Sequence, residues 1–101
     1  MGRYLGEVAQ LILVAILRLG DNATRATIRE EILQVAERSL TKRSVKSQTT
    51  RLQARGFVSV RLERGENFYC VEKPGLEALA LIIDFIAKMR EGAKEGRFHA
   101  V

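Results

Sequence analysis

Residues 51–62 read Arg51-Leu52-Gln53-Ala54-Arg55-Gly56-Phe57-Val58-Ser59-Val60-Arg61-Leu62, and the hydrophobic period changes in the middle of them. Up to Arg55 the apolar spacing is that of a helix. After Gly56, Val58, Val60 and Leu62 alternate with polar residues and β-branched side chains become frequent, which predicts a strand. Gly56 sits at the change and supplies a helix stop. Downstream, Arg64-Gly65-Glu66-Asn67 predicts a polar turn and Phe68-Tyr69-Cys70-Val71 a return strand. Together they form a β-hairpin with a charged tip.

Upstream of this junction everything reads as helix. The third helix starts near Thr41, a candidate cap, and runs through Ser44, Val45, Gln48 and Leu52 to Arg55. A second helix is expected from Thr24 or Arg25 to Arg38, with Ile28, Ile32, Val35 and Ala36 inward. The first, from about Tyr4 to Leu19, is apolar nearly all round and must be covered on more than one side. Gly20-Asp21-Asn22 closes it in a turn. Beyond the hairpin, Pro74 suits the first turn of a final helix running to about Arg90. In that helix Leu76, Leu79, Ile83 and Ile86 form one stripe that can pack on the domain. Leu81, Ile82, Phe85 and Met89 remain as surplus, and the simplest cover for them is the same helix of a second copy, giving a homodimer.

Helix, helix-turn-helix, hairpin and apolar helix is the order of a winged helix-turn-helix domain, α+β and mostly helical. The domain spans residues 1–91, with its dimerisation helix at about 75–91, and a polar tail follows at 92–101. With 101 residues there is no room for a separate ligand-binding or catalytic domain. A hydrophobic fraction of 47% excludes a wholly disordered chain.

Charge placement suggests the partner. The net charge is +5, and the six basic residues Arg38, Lys42, Arg43, Lys46, Arg51 and Arg55 occur in one window without an acidic residue, so the rest of the chain sums to −1. A basic stripe on the third helix of this architecture predicts double-stranded DNA as the ligand, with that helix in the major groove and the hairpin wing on the backbone or minor groove. Taking Val45 and Leu52 as inward, Arg43, Ser47 and Thr50 face base edges, and small residues there and at Ala54 permit close approach. Thr41, Lys42 and Lys46 are placed for phosphates. Arg51 is open to two roles, a phosphate contact or an ion pair with the second helix. At the wing the candidates are Arg61, Arg64 and Asn67, with Arg64 at the tip.

Catalysis finds no footing. No histidine lies near a nucleophile, no Cys/His set has metal spacing, and no glycine-rich phosphate loop is present. A non-enzyme without a cofactor is expected, and nothing in the sequence names a small-molecule effector. The lone Cys70 reads as a small buried strand residue and the lone His99 as a solvated bystander. One cysteine gives no internal disulfide. The apolar run Val8–Leu19 contains Gln10 and Arg18, and it is shorter than the roughly 20 residues of a membrane span. A cytoplasmic protein that crosses no membrane is therefore expected.

Several segments resemble the PadR-type winged-helix transcriptional regulators. They are Ala15-Ile16-Leu17-Arg18-Leu19-Gly20-Asp21, Ile28-Arg29-Glu30-Glu31, Arg51-Leu52-Gln53-Ala54-Arg55-Gly56-Phe57-Val58, and Tyr69 followed by Gly75-Leu76-Glu77-Ala78-Leu79. They occur in the family's order over about residues 5 to 80. The resemblance implies a dimeric, sequence-specific DNA-binding regulator, most simply a repressor. This chain departs from the family text at Thr24-Arg25, at Lys46 and at Thr49, the last of which weakens the core face of the third helix. A protein-interaction module that uses the same surfaces without DNA is the alternative.

Overall fold

The computed structural model describes residues 5–94. Four helices and one hairpin follow in the order α1 (Glu7–Leu19), α2 (Arg25–Ala36), α3 (Lys42–Ala54), β1 (Val58–Glu63), β2 (Glu66–Val71) and α4 (Lys73–Lys94), with a 3-10 turn at Gly20–Asn22. This is the α+β, mostly helical architecture that the order of sequence patterns predicts.

Local chemistry sets most of the boundaries. Gly20 ends α1 at φ 62°, its N–H donating to the Ile16 carbonyl. The next helix opens on a capping box, in which Thr24 Oγ1 accepts from the Thr27 N–H at 3.1 Å while the Thr24 N–H donates to Thr27 Oγ1 at 2.8 Å. Thr41 caps α3 by accepting from the Ser44 N–H at 3.0 Å. At the other end of α3 the Phe57 N–H reaches the Leu52 carbonyl at 2.9 Å, and the Gly56 N–H reaches Gln53 at 3.0 Å. That pair of bonds is a Schellman motif, and it needs the left-handed backbone that Gly56 supplies at φ 77°. Buried Phe57 and Leu52 are its apolar partners.

The core lies where α1, α2, α3 and the base of the hairpin converge, around Ile12, Leu13, Ile16, Ile28, Val45 and Leu52. Buried Tyr69 ties the hairpin to it, and the Tyr69 N–H donates to the Ala23 carbonyl at 2.8 Å. Thr49, which the sequence marks as a weak point of the core face, is fully buried. Its hydroxyl donates back to the Val45 carbonyl at 2.8 Å, so no polar group is stranded.

Several sequence expectations shift. Leu5 is buried but precedes α1, which starts at Glu7 rather than at Tyr4. Helix α2 stops at Ala36 because Glu37 turns left-handed at φ 53°, and Val35 and Ala36 are exposed rather than inward. The hairpin loop is the two-residue Arg64-Gly65, with Glu63 paired to Glu66, so β2 starts two residues earlier than the sequence suggested. Leu62 shares a face with Val58 and Val60 yet is 73% exposed, because the hairpin outruns the body it packs on. Cys70 is exposed, not buried. It lies between buried Tyr69 and Val71, and strand alternation turns it outward beside Ser59. Helix α4 continues to Lys94. The remainder of the expected tail, with His99, lies outside the described residues.

Helix α4 also divides its apolar surface differently. Gly75, Ala78 and Leu79 are buried and Ile82 packs partly against the core. Leu76, Ile83 and Ile86, expected on the domain, are exposed, and Ile82, expected on the partner, belongs to the domain side. At about 100° per residue Phe85, Ile86 and Met89 continue the same stripe as Ala78, Leu79 and Ile82. They are half to two-thirds exposed because the domain has ended. The division runs along the helix, end to end, rather than around it.

Candidate nucleic-acid interface

Helix α3 has one buried edge, Val45, Thr49 and Leu52. Opposite it, within about 45° of the outward direction, stand Arg43, Ser47, Thr50 and Ala54, all exposed. The three side chains expected to face bases therefore share one surface. Thr50 is partly committed, since its hydroxyl donates to the Lys46 carbonyl at 2.8 Å. Towards a base it retains its acceptor lone pairs and its methyl group. Thr41 keeps the reverse capacity, because as a cap its oxygen accepts and its O–H is still able to donate.

Several cations away from α3 are ion-paired: Arg18 Nε lies 2.6 Å from Glu31, Arg38 Nη1 2.6 Å from Glu7, and Lys88 Nζ 3.4 Å from Asp84. Arg38 therefore leaves the basic window that the sequence delimits. Arg55, at the window's other end, stacks over Phe57 at 4.5 Å. Lys42, Arg43, Lys46 and Arg51 are exposed and join no ion pair among the described residues. Of the two roles open to Arg51, the ion pair with α2 is not made.

At the wing the three expected residues separate. Arg61 is already engaged: its guanidinium donates to the Asp21 carbonyl at 3.1 Å, lies 3.5 Å from Glu63 and covers the Phe68 ring at 4.9 Å. It fastens the hairpin to the turn after α1. Asn67 sits on the opposite face, across from Leu62. Arg64 alone holds the tip, in the left-handed region at φ 55° with Gly65 at φ 77°. Two positive φ values in a two-residue loop make a type I′ turn.

One residue of this surface escapes the sequence reading. Arg25, the first residue of α2, faces a groove shared with Lys42 and Lys46 of α3. Periodicity marks it only as a helix start, and its proximity to α3 is a tertiary fact. Among the described residues no group of His, Cys, Asp or Glu side chains could hold a metal ion, and no helix is long and apolar enough to cross a membrane.

No family profile matches the sequence, and no curated protein does. Solved structures do match. A winged-helix DNA-binding protein from STIV superposes with a TM-score of 0.74 at 14% identity, over 85% of this chain and 94% of that one. Two complex structures of hsRosR superpose with TM-scores of 0.72 and 0.69, each at 17% identity, over 87% and 93% of this chain and 76% and 89% of theirs. At such identities the likeness concerns the course of the backbone. That course, with the hairpin as wing and α3 as the exposed helix before it, is the winged-helix fold.

Proposed function

We propose that this protein is a sequence-specific DNA-binding transcriptional regulator, most simply a repressor, which acts in the cytoplasm as a homodimer and catalyses no reaction. The observation that carries the proposal is the set of four exposed cations on α3, Lys42, Arg43, Lys46 and Arg51, none in an ion pair among the described residues, whereas Arg18, Arg38 and Lys88 elsewhere have carboxylate partners. Unpaired cations held on a helix with small neighbours suit a polyanion with a groove. The structural neighbours add support, one of them being described as a winged-helix DNA-binding protein. The PadR-type resemblance of residues 5 to 80 points the same way. In this reading Arg43, Ser47 and Thr50 meet base edges, while Thr41, Lys42, Lys46 and Arg51 hold phosphates and Arg64 carries the wing contact. Dimerisation runs through the free end of α4, at Phe85 and Met89 with Leu81 flanking, and Ile82 stays with its own domain.

The test is a duplex site enriched from random sequence, titrated at several salt concentrations. Arg43→Ala is expected to lose about 1–3 kcal/mol on that site and to relax preference at one base pair. Lys46→Ala should weaken all duplexes alike and reduce the salt slope by about one unit. Absence of duplex binding by the wild type at low salt would overturn the proposal.

A further inference from the structure

Arg25 carries the one buried side-chain polar atom without a hydrogen-bond partner found among the described residues, its Nε. The guanidinium carbon lies 5.9 Å from the centre of the buried Tyr69 ring. Arg25 also lines a groove of about 490 Å³ between α2 and α3. Arg25, Arg29, Lys42 and Lys46 line this groove against a single carboxylate, Glu30, a balance of +3. Two of these charged groups are occupied. Arg29 Nε donates to the Leu40 carbonyl at 2.6 Å, and Glu30 accepts from Gln34 at 2.9 Å. Arg25, Lys42 and Lys46 have no anionic partner among the described residues.

A guanidinium N–H withdrawn from water without an acceptor is unfavourable, and a rotation of the Arg25 side chain towards an anion in the groove would relieve it. The planar fork of an arginine matches two oxygens of a phosphate. Leu33, Leu40 and Val45 make much of the groove wall apolar, which strengthens attraction to any anion held there. The rim cations Lys42 and Lys46 are phosphate contacts in the proposed interface, so a strand following α3 passes the mouth of the groove. We infer that the α2–α3 groove seats one phosphate of the DNA backbone on Arg25, with Lys42 and Lys46 at its rim. This rests on the DNA-binding reading above and adds to it a contact from outside α3 and the wing.

The experiment scans a bound duplex with single neutral methylphosphonate substitutions, using wild type, Arg25→Gln and Arg25→Lys, with the melting temperature of each variant recorded. Wild type should lose about tenfold in affinity at one backbone position per half-site, the scale of one charged hydrogen-bond contact. Arg25→Gln should bind unmodified duplex about tenfold more weakly, lose nothing more at that position, and keep the wild-type losses elsewhere. Arg25→Lys, with the charge but not the fork, should fall between them. If Arg25→Gln is folded and repeats the wild-type pattern at every position, or changes only in melting temperature, Arg25 is structural and the inference fails. A separate arm adds inorganic phosphate without DNA. If wild type binds no duplex while phosphate raises its melting temperature and not that of Arg25→Gln, the groove holds an anion from another source. That result overturns the DNA assignment together with the function on which it rests.

Discussion

Replacing Arg64 by asparagine should move stability and DNA affinity in opposite directions. Arg64 occupies the first loop position of the type I′ turn at φ 55°, where a side chain with a Cβ is disfavoured by about 1–2 kcal/mol. Asparagine tolerates that region because its short amide bonds to the local backbone, and Asn-Gly is the preferred pair for this turn. Recovering half of the penalty gives about 0.5–1 kcal/mol, or roughly 2–8 °C in melting temperature for a domain of this size. One opposing effect must be removed by a control. Glu63 and Glu66 face each other across the strands, and losing the arginine between them exposes their repulsion. Arg64→Ala suffers the same loss without relieving the turn, so the comparison is between the two variants. Asparagine should melt above alanine by those few degrees. Both should bind duplex more weakly than wild type, with the salt slope smaller in magnitude by about 0.9, the value of one neutralised phosphate. Thermal denaturation by circular dichroism and anisotropy titrations at several salt concentrations supply the two readings. Equal melting of the two variants would refute the strained turn. An unchanged salt slope in both would refute the wing contact.

How much of this was legible in the sequence depended on whether a feature was set locally. The Gly56 stop, the Thr24 and Thr41 starts and the hairpin at the change of period are decided by a few neighbouring residues, and their positions hold. The outward face of α3 follows from helical geometry once Val45 and Leu52 are inside. Misreadings arose where distant structure decides. Ile82 and Ile86 stand on one helix stripe, yet the first packs on the core and the second does not, because the domain ends between them. No local pattern reveals where a neighbouring element stops. The same holds for Leu62, whose strand outruns its support, and for Arg61, claimed by the Asp21 carbonyl 40 residues away. Cys70 is a different case. Strand alternation sets it opposite to buried Tyr69 and Val71, and this local geometry outweighs the usual preference of a thiol for burial.

Three further outcomes test how the elements are held. At Glu37, whose left-handed φ of 53° ends α2, glycine should stabilise the fold by about 0.5–1 kcal/mol in chemical denaturation; an unchanged midpoint would show that no strain resides there. Gly75→Ala should destabilise by about 2 kcal/mol, since its Cβ would stand 2.5 Å from the Phe57 carbonyl oxygen, which already accepts the Glu72 N–H at 2.8 Å; a melting temperature at or above wild type would refute the close approach. The last concerns the free end of α4, where Phe85 and Met89 prolong the buried stripe into solvent at 64% and 49% exposure. Phe85→Asp with Met89→Asp leaves Leu79 and Ile82 on the core, so the domain should keep its helical spectrum while sedimentation falls from dimer to monomer mass; a dimer that survives both changes would place the interface elsewhere.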